Sequence, residues 1–73
     1  MAQEKIEAPI TGKIISIDVK VGDTIGEGDV ICMLESMKME NPIPSTVDGT
    51  VASISVKEDQ VVKPGDIIAV IEY

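Results

Sequence analysis

The 73-residue sequence predicts an all-β domain in which two antiparallel sheets pack face to face. Three observations lead there. The apolar residues are nearly all aliphatic, with Ile and Val dominant, no Phe or Trp, and Tyr73 as the one aromatic. β-Branched side chains suit the pleated, half-buried surface of a strand. Apolar and polar residues also alternate from Ile14 to Val21, the mark of a strand with one buried face. Finally, the chain repeats itself. Gly12, Ser16, Ile17, Val19, Lys20, Gly28, Asp29, Ile31 and Glu35 return as Gly49, Ser53, Ile54, Val56, Lys57, Gly65, Asp66, Ile68 and Glu72, at a gapless offset of 49 − 12 = 37. That is nine identities in the 24 positions from 12 to 35, and most of the others exchange like for like, as Ile14 does with Val51 and Leu34 with Ile71. Two copies are too few for a solenoid, which needs about three. Two half-repeats, about 8–35 and 45–72, that bury their apolar faces against each other around a pseudo-two-fold axis satisfy the pattern within a single domain, 1–73.

Taken in order, Met1 to Glu4 is a short polar start. Ile6 to Ile10 reads as a strand that ends at Pro9, whose ring offers no N–H to a ladder. Thr11-Gly12 is a turn signal. The alternating stretch then sets Ile15, Ile17, Val19 and Val21 on a buried face and Ser16, Asp18 and Lys20 on the other. Gly22-Asp23 and Gly26-Glu27-Gly28-Asp29 are turns, because Gly accepts positive φ and Asp bonds its own backbone. Leu34 to Glu40 is rich in helix formers. It is nevertheless short, closed by Gly-Asp before it and Pro42 after it, and its counterpart Ile67 to Glu72 is strand-like. The reading is therefore a hairpin: Val30 to Ser36 going up, Met37-Lys38 at the tip, Met39 to Ile43 coming down. Asn-Gly pairs lead at two-residue hairpin turns, so Met-Lys breaks a local rule, as residues chosen for chemistry do. Pro42 and Pro44 fit an edge or extended segment. Ser45 to Gly49 repeats the bend of Ala8 to Gly12, and the second half follows.

Composition excludes several functions. A chain this short buries roughly 60% of its unfolded surface, leaving little room for an enclosed active site. A net charge of −7 argues against a phosphate-backbone partner, and the missing aromatics remove the platforms on which single-stranded bases stack. With no His and one Cys, the usual zinc sets and any intrachain disulfide are absent. The Gly-Asp pairs lack the dense ligand spacing of a calcium loop, so no metal is expected. No paired acid and base, and no nucleophile beside a base, is present, so the chain is not expected to be an enzyme by itself. The longest apolar run, Val30 to Leu34, is too short to span a bilayer, and no signal-peptide pattern opens the chain. A lone thiol, Cys32, suits a reducing compartment and reads as a small buried hydrophobe. The expected location is the cytoplasm.

The stretch Glu35-Ser36-Met37-Lys38-Met39-Glu40 resembles the attachment motif of the biotinyl domains of biotin-dependent carboxylases and decarboxylases, the biotin carboxyl carrier family. The resemblance extends through Ala8-Pro9-Ile10-Thr11-Gly12, Gly22-Asp23, Gly28-Asp29, Pro44-Ser45, Asp48-Gly49 and Gly65-Asp66. It implies a flattened barrel of two four-stranded sheets with the modified lysine on a tight hairpin. The gapless offset leaves no space for the extra thumb loop of some bacterial carriers, so the chain resembles the thumbless type. The resemblance further implies that Lys38 is biotinylated by a biotin protein ligase. Biotin on Lys38 would then carry CO2 as carboxybiotin between a biotin carboxylase site and a carboxyltransferase or decarboxylase site. Met37 and Met39 flank the lysine with unbranched, adaptable side chains, and Glu35, Ser36 and Glu40 are candidates for recognition by the ligase. A free lysine amine is protonated at neutral pH, so the ligase has to supply the base.

Two other readings remain. A lipoyl carrier shares the fold and the hairpin lysine, but that family flanks its lysine with Asp and Ala, where Met stands here. A structural half-barrel module, like those of membrane-fusion adaptor proteins, needs no modified lysine and leaves the motif without a purpose.

Overall fold

The structure, a computed structural model, describes residues 2–73, so the expected polar start is seen from Ala2 and Met1 lies outside the described residues. Eight strands follow one another: β1 (Gln3–Glu7), β2 (Gly12–Ile17), β3 (Thr24–Ile25), β4 (Val30–Ser36), β5 (Met39–Pro44), β6 (Gly49–Ile54), β7 (Val61–Val62) and β8 (Ile67–Glu72). They form two four-stranded sheets, ordered β1-β8-β6-β3 and β5-β4-β2-β7, and every neighbouring pair is antiparallel. The Leu34–Glu40 window is strand, turn and strand, as the hairpin reading expects.

The elements recur at the offset seen in the sequence. β6, β7 and β8 stand 37 positions after β2, β3 and β4, and β5 stands in the same relation to β1. Ile6 and its counterpart Ile43 are each 4% exposed. The structural correspondence thus starts at Gln3 and Glu40, earlier than identities alone reveal. The halves also exchange edges: β3 pairs with β6 of the second half, and β7 pairs with β2 of the first. Neither half owns a complete sheet, which ties the two together.

Between the sheets lies an aliphatic core. Ile14, Ile31 and Leu34 meet their counterparts Val51, Ile68 and Ile71, and none of the six is more than 1% exposed. Burying each such side chain contributes about 1.5–3 kcal/mol. Cys32 lies among them, fully buried.

Three local expectations shift. The first strand is β1 at Gln3–Glu7, not Ile6–Ile10; its ladder begins where Ala2 and Tyr73 exchange backbone bonds of 2.8 and 2.9 Å, and Pro9 falls in the bend beyond it. Gly12 is already in a strand, not in a turn. The alternation from Ile15 to Val21 marks the buried face only in part: Ile17 and Val19 pack, partly buried, against the core. A bulge between Ile14 and Ser16 resets the phase, so Ile14 is buried while Ile15 is only half-buried. The strand ends at Ile17, which leaves Val21 62% exposed. The same bulge recurs between Val51 and Ser53. An extra residue in one strand flips the side-chain sequence beyond it, and periodicity alone does not reveal where it falls.

The turns carry acceptor side chains as expected. Asp23, Asp29 and Asp66 each accept a bond of 2.8–2.9 Å from the backbone N–H three residues earlier, and Gln60 does so at 3.0 Å. These bonds satisfy turn donors that no ladder reaches.

Candidate functional site

The β4–β5 hairpin builds the site. Its register pairs Cys32 with Ile43, Met33 with Pro42, Leu34 with Asn41, Glu35 with Glu40 and Ser36 with Met39. That leaves Met37-Lys38 as a two-residue turn. Both residues lie in the left-handed region, at φ 53° for Met37 and 64° for Lys38. This is the signature of a type I′ turn, whose twist matches that of the flanking strands. Neither residue is Gly or Asn, so the turn holds two ordinary side chains in a backbone well that costs each about 1–2 kcal/mol.

What holds the turn is the ladder beneath it. Leu34 is fully buried. Asn41 Nδ2 donates to Leu34 O at 3.4 Å and to Met39 O at 3.3 Å, spanning the strands below the tip. Sequence reasoning passed over Asn41; the available signal was the tendency of Asn to bond nearby backbone. Gly12 was read only as a turn residue. It packs so closely under the end of β4 that a Cβ there would meet the Glu35 carbonyl oxygen and the Leu34 side chain.

The side chains of the motif point into solvent. Met37 is 92% and Met39 66% exposed, so neither methionine packs on the sheet. Lys38, Glu35 and Glu40 are exposed, and Ser36 is half-buried. Among the described residues no acidic group lies within 4.0 Å of Lys38 Nζ. The ion pair nearby joins Lys13 to Asp59 at 3.5 Å. Lys13 pairs with Glu35 on one side and Val61 on the other. One row across the sheet therefore reads Val61, Lys13, Glu35, Glu40.

The path of the chain sets the tip far from the termini. Ala8 to Thr11 join Glu7, which pairs with Ile67, to Gly12, which lies against Glu35. The start of β8 is therefore at the lysine end, and its far end, where Tyr73 pairs with Ala2, is opposite. The molecule is 36 Å long and 17–18 Å across. A primary amine thus projects from one narrow end of a rigid body.

Among the described residues one further concave feature stands apart from it. A shallow groove of about 240 Å3 runs between edge strands β1 and β5, floored by Ile6 and Ile43 and rimmed by Pro9, Pro42 and Pro44. Ordinary ligand pockets hold roughly 300–1,000 Å3, and no residue from 35 to 40 lines this groove. The arrangement offers an accessible nucleophilic amine on a fixed stem, which fits covalent attachment of a group through its carboxyl.

Comparison with known proteins agrees. Over 38 residues the chain is 53% identical to the gamma subunit of glutaconyl-CoA decarboxylase from Acidaminococcus fermentans, covering 52% of this chain and 26% of that one. Over 40 residues it is 48% identical to the biotinylated protein TB7.3 homolog of Mycobacterium leprae, covering 55% and 56% of the two chains. The chain thus matches only about a quarter to a little over half of the length of these relatives. Among solved structures, the urea carboxylase of Kluyveromyces lactis superposes with a TM-score of 0.92 at 32% identity, over 99% of this chain and 6% of that one. The family model described as "Biotin-requiring enzyme" matches residues 4–71. With nearly its whole length matched, and with this sandwich and this hairpin, the chain belongs to the biotin-requiring family of attachment domains.

Proposed function

We propose that Lys38 is the attachment residue of this biotin carrier domain, and that the rest of the chain holds it out to partner enzymes in turn. The observation that carries the reading is the tip itself: a lysine at φ 64° in a strained two-residue turn, exposed and with no acidic group within 4.0 Å among the described residues. A lysine placed only to form an ion pair would take a partner or a relaxed turn. Instead the fold spends backbone strain to present it.

In the attachment step, Lys38 Nζ gives up a proton to a base on a biotin protein ligase. It then attacks the carbonyl carbon of a biotinyl adenylate. The new bond is the amide N–C bond, the C–O bond to phosphate breaks, and AMP leaves. The chain supplies no base of its own, because no His or acidic side chain reaches Nζ among the described residues. Its contribution is access and orientation. Biotin so held supplies a ureido nitrogen that takes up and releases CO2. The domain converts delivery of that group into a quasi-intramolecular encounter, at roughly millimolar effective concentration for a short flexible link.

The partners we propose are the ligase, a carboxylating subunit, and a carboxyltransferase or decarboxylase subunit. Similarity to a decarboxylase gamma subunit and to the methylmalonyl-CoA decarboxylase gamma subunit of Veillonella parvula supports this class. The exposed Met37 and Met39 suit repeated docking into differently shaped sites. Co-expression with a biotin ligase, followed by intact mass measurement and a streptavidin blot, tests the reading. The wild type gains one biotin and Lys38→Arg gains none. An adduct that persists in Lys38→Arg would place the attachment elsewhere.

A further inference from the structure

The two ends of the molecule share one backbone plan, so residues that differ between them show what each end is built for. At the blunt end, Gln3 pairs with Glu72, and Gln3 Nε2 donates to Glu72 Oε2 at 3.5 Å. The matching pair at the lysine end is Glu40 with Glu35. Where the blunt end holds a compatible pair, the lysine end holds two like charges. Ser36 and Met39 close the two-residue turn as a hydrogen-bonded pair, so Glu35 and Glu40 form the closely spaced pair below it, with Cα atoms about 4.5 Å apart. Like charges directly opposite on a sheet are destabilising. Lys13 flanks Glu35 on the next strand, but its ammonium lies 3.5 Å from Asp59. The other cation in this stretch is Lys38, in the turn that joins the two strands. It makes no ion pair within 4.0 Å among the described residues. Two to three residues from each carboxylate, it acts through space within the Debye length.

We propose that the Glu35–Glu40 pair makes the firmness of the hairpin depend on the state of Lys38, so that the tip loosens once the lysine is acylated. The inference rests on Lys38 being the attachment residue. Amide formation removes the ammonium charge. The tip then passes from two negative charges and one positive to two negative charges alone, and the repulsion across the ladder is no longer offset. Low local stability is what an element that must enter more than one partner site draws on. The unloaded hairpin stays firm for the ligase, and the loaded one yields more readily to the carboxylating and acceptor sites.

Thermal unfolding of wild type and Glu40→Gln, each with and without ligase-loaded biotin, reads this out. Loading lowers the wild-type Tm by about 2–4 °C at low salt. The drop is about halved in Glu40→Gln, where Glu35 still faces the lysine, and it is absent when Glu35→Gln and Glu40→Gln are combined. It fades at 1 M salt, where charges are screened beyond about 3 Å. A second cycle needs no ligase: Lys38→Gln lowers Tm by about twice as much in the Glu40 background as in Glu40→Gln. Intact mass reports loading separately. A missing adduct on the wild type therefore overturns the attachment reading while the second cycle still decides the charge coupling. Equal Tm changes in both backgrounds, or changes insensitive to salt, overturn the coupling.

Discussion

A Cβ placed on Gly12 would lie 2.5 Å from the carbonyl oxygen of Glu35, three residues before Lys38. Gly49 stands in the same relation to Glu72, with its missing Cβ also directed at the Ile71 side chain. Each glycine lets one strand press against its neighbour, and the backbone atom in the way cannot swing aside as a side-chain end could. Gly12→Ala and Gly49→Ala are each expected to cost about 3 kcal/mol, a large share of the stability of a small domain. Urea unfolding measures both losses. The two differ in function: Gly12→Ala displaces the end of β4 and slows biotin attachment, whereas Gly49→Ala acts at the far end and leaves attachment intact under folding conditions. Equal attachment rates would show that Gly12 does not position the lysine.

Met37 and Lys38 both sit at positive φ without being Gly or Asn. Asn favours the first position of this turn, so Met37→Asn is expected to stabilise the domain by about 1 kcal/mol and to raise Tm by about 4–8 °C. Lys38 stays in place and is still acylated. If Met37 serves docking, the variant also supports slower group transfer with partner subunits. A Tm that falls would mean that the Met37 side chain holds the turn, against its 92% exposure.

Much of this was legible in the sequence, and what was not has physical causes. The offset of 37 gave away the two halves because the same backbone and core demands recur in each: close approach at Gly12 and Gly49, turns at Gly28-Asp29 and Gly65-Asp66, and burial at Ile31 and Ile68. The hairpin was legible because its counterpart, β8, is mostly Ile and Val. β1 was placed too late: apart from Ile6 and Ile43, its residues share no identity with those of β5, so the repeat seemed to start at the bend. Ile14 was missed from the buried face of β2 because a bulge leaves no mark in the order of apolar and polar residues. That Glu35 and Glu40 oppose each other follows from the two-residue turn at Met37-Lys38 that the sequence already implied. Asn41 and its bridge to two carbonyls follow from the same register.

Lys38→Arg keeps a long cation in the turn and removes the primary amine. Lys38 packs against nothing that the change would disturb, being exposed and without an ion pair within 4.0 Å among the described residues. Stability is therefore expected to move by less than about 0.5 kcal/mol while attachment is abolished. Denaturant midpoints together with intact mass check both halves of the statement. Loss of attachment accompanied by unfolding would instead give Lys38 a structural role.

Cys32 supplies the last test, one of the core rather than the tip. Its side chain is fully buried, and burial, helped by the negative charge of Asp18, pushes the thiol from 9.0 up to about 11. Below pH 9 the folded and unfolded chains both keep the proton, and the stabilising difference is fully present. Between pH 9 and 11 the unfolded chain releases it while the folded chain holds it. The folded state then binds more protons, so stability falls as pH rises. Two pH units correspond to about 3 kcal/mol at most. Cys32→Ala lowers stability through the cavity it opens, yet it flattens the decline between pH 9 and 11, and it is the slope that carries the test. Alkylation gives a second readout. At pH 8 iodoacetamide reacts with Cys32 in denaturant and barely at all in the folded chain, because the thiolate is the nucleophile and the fold suppresses it. Equal rates in the two states would mean that the sandwich opens around Cys32 far more often than a packed aliphatic core permits.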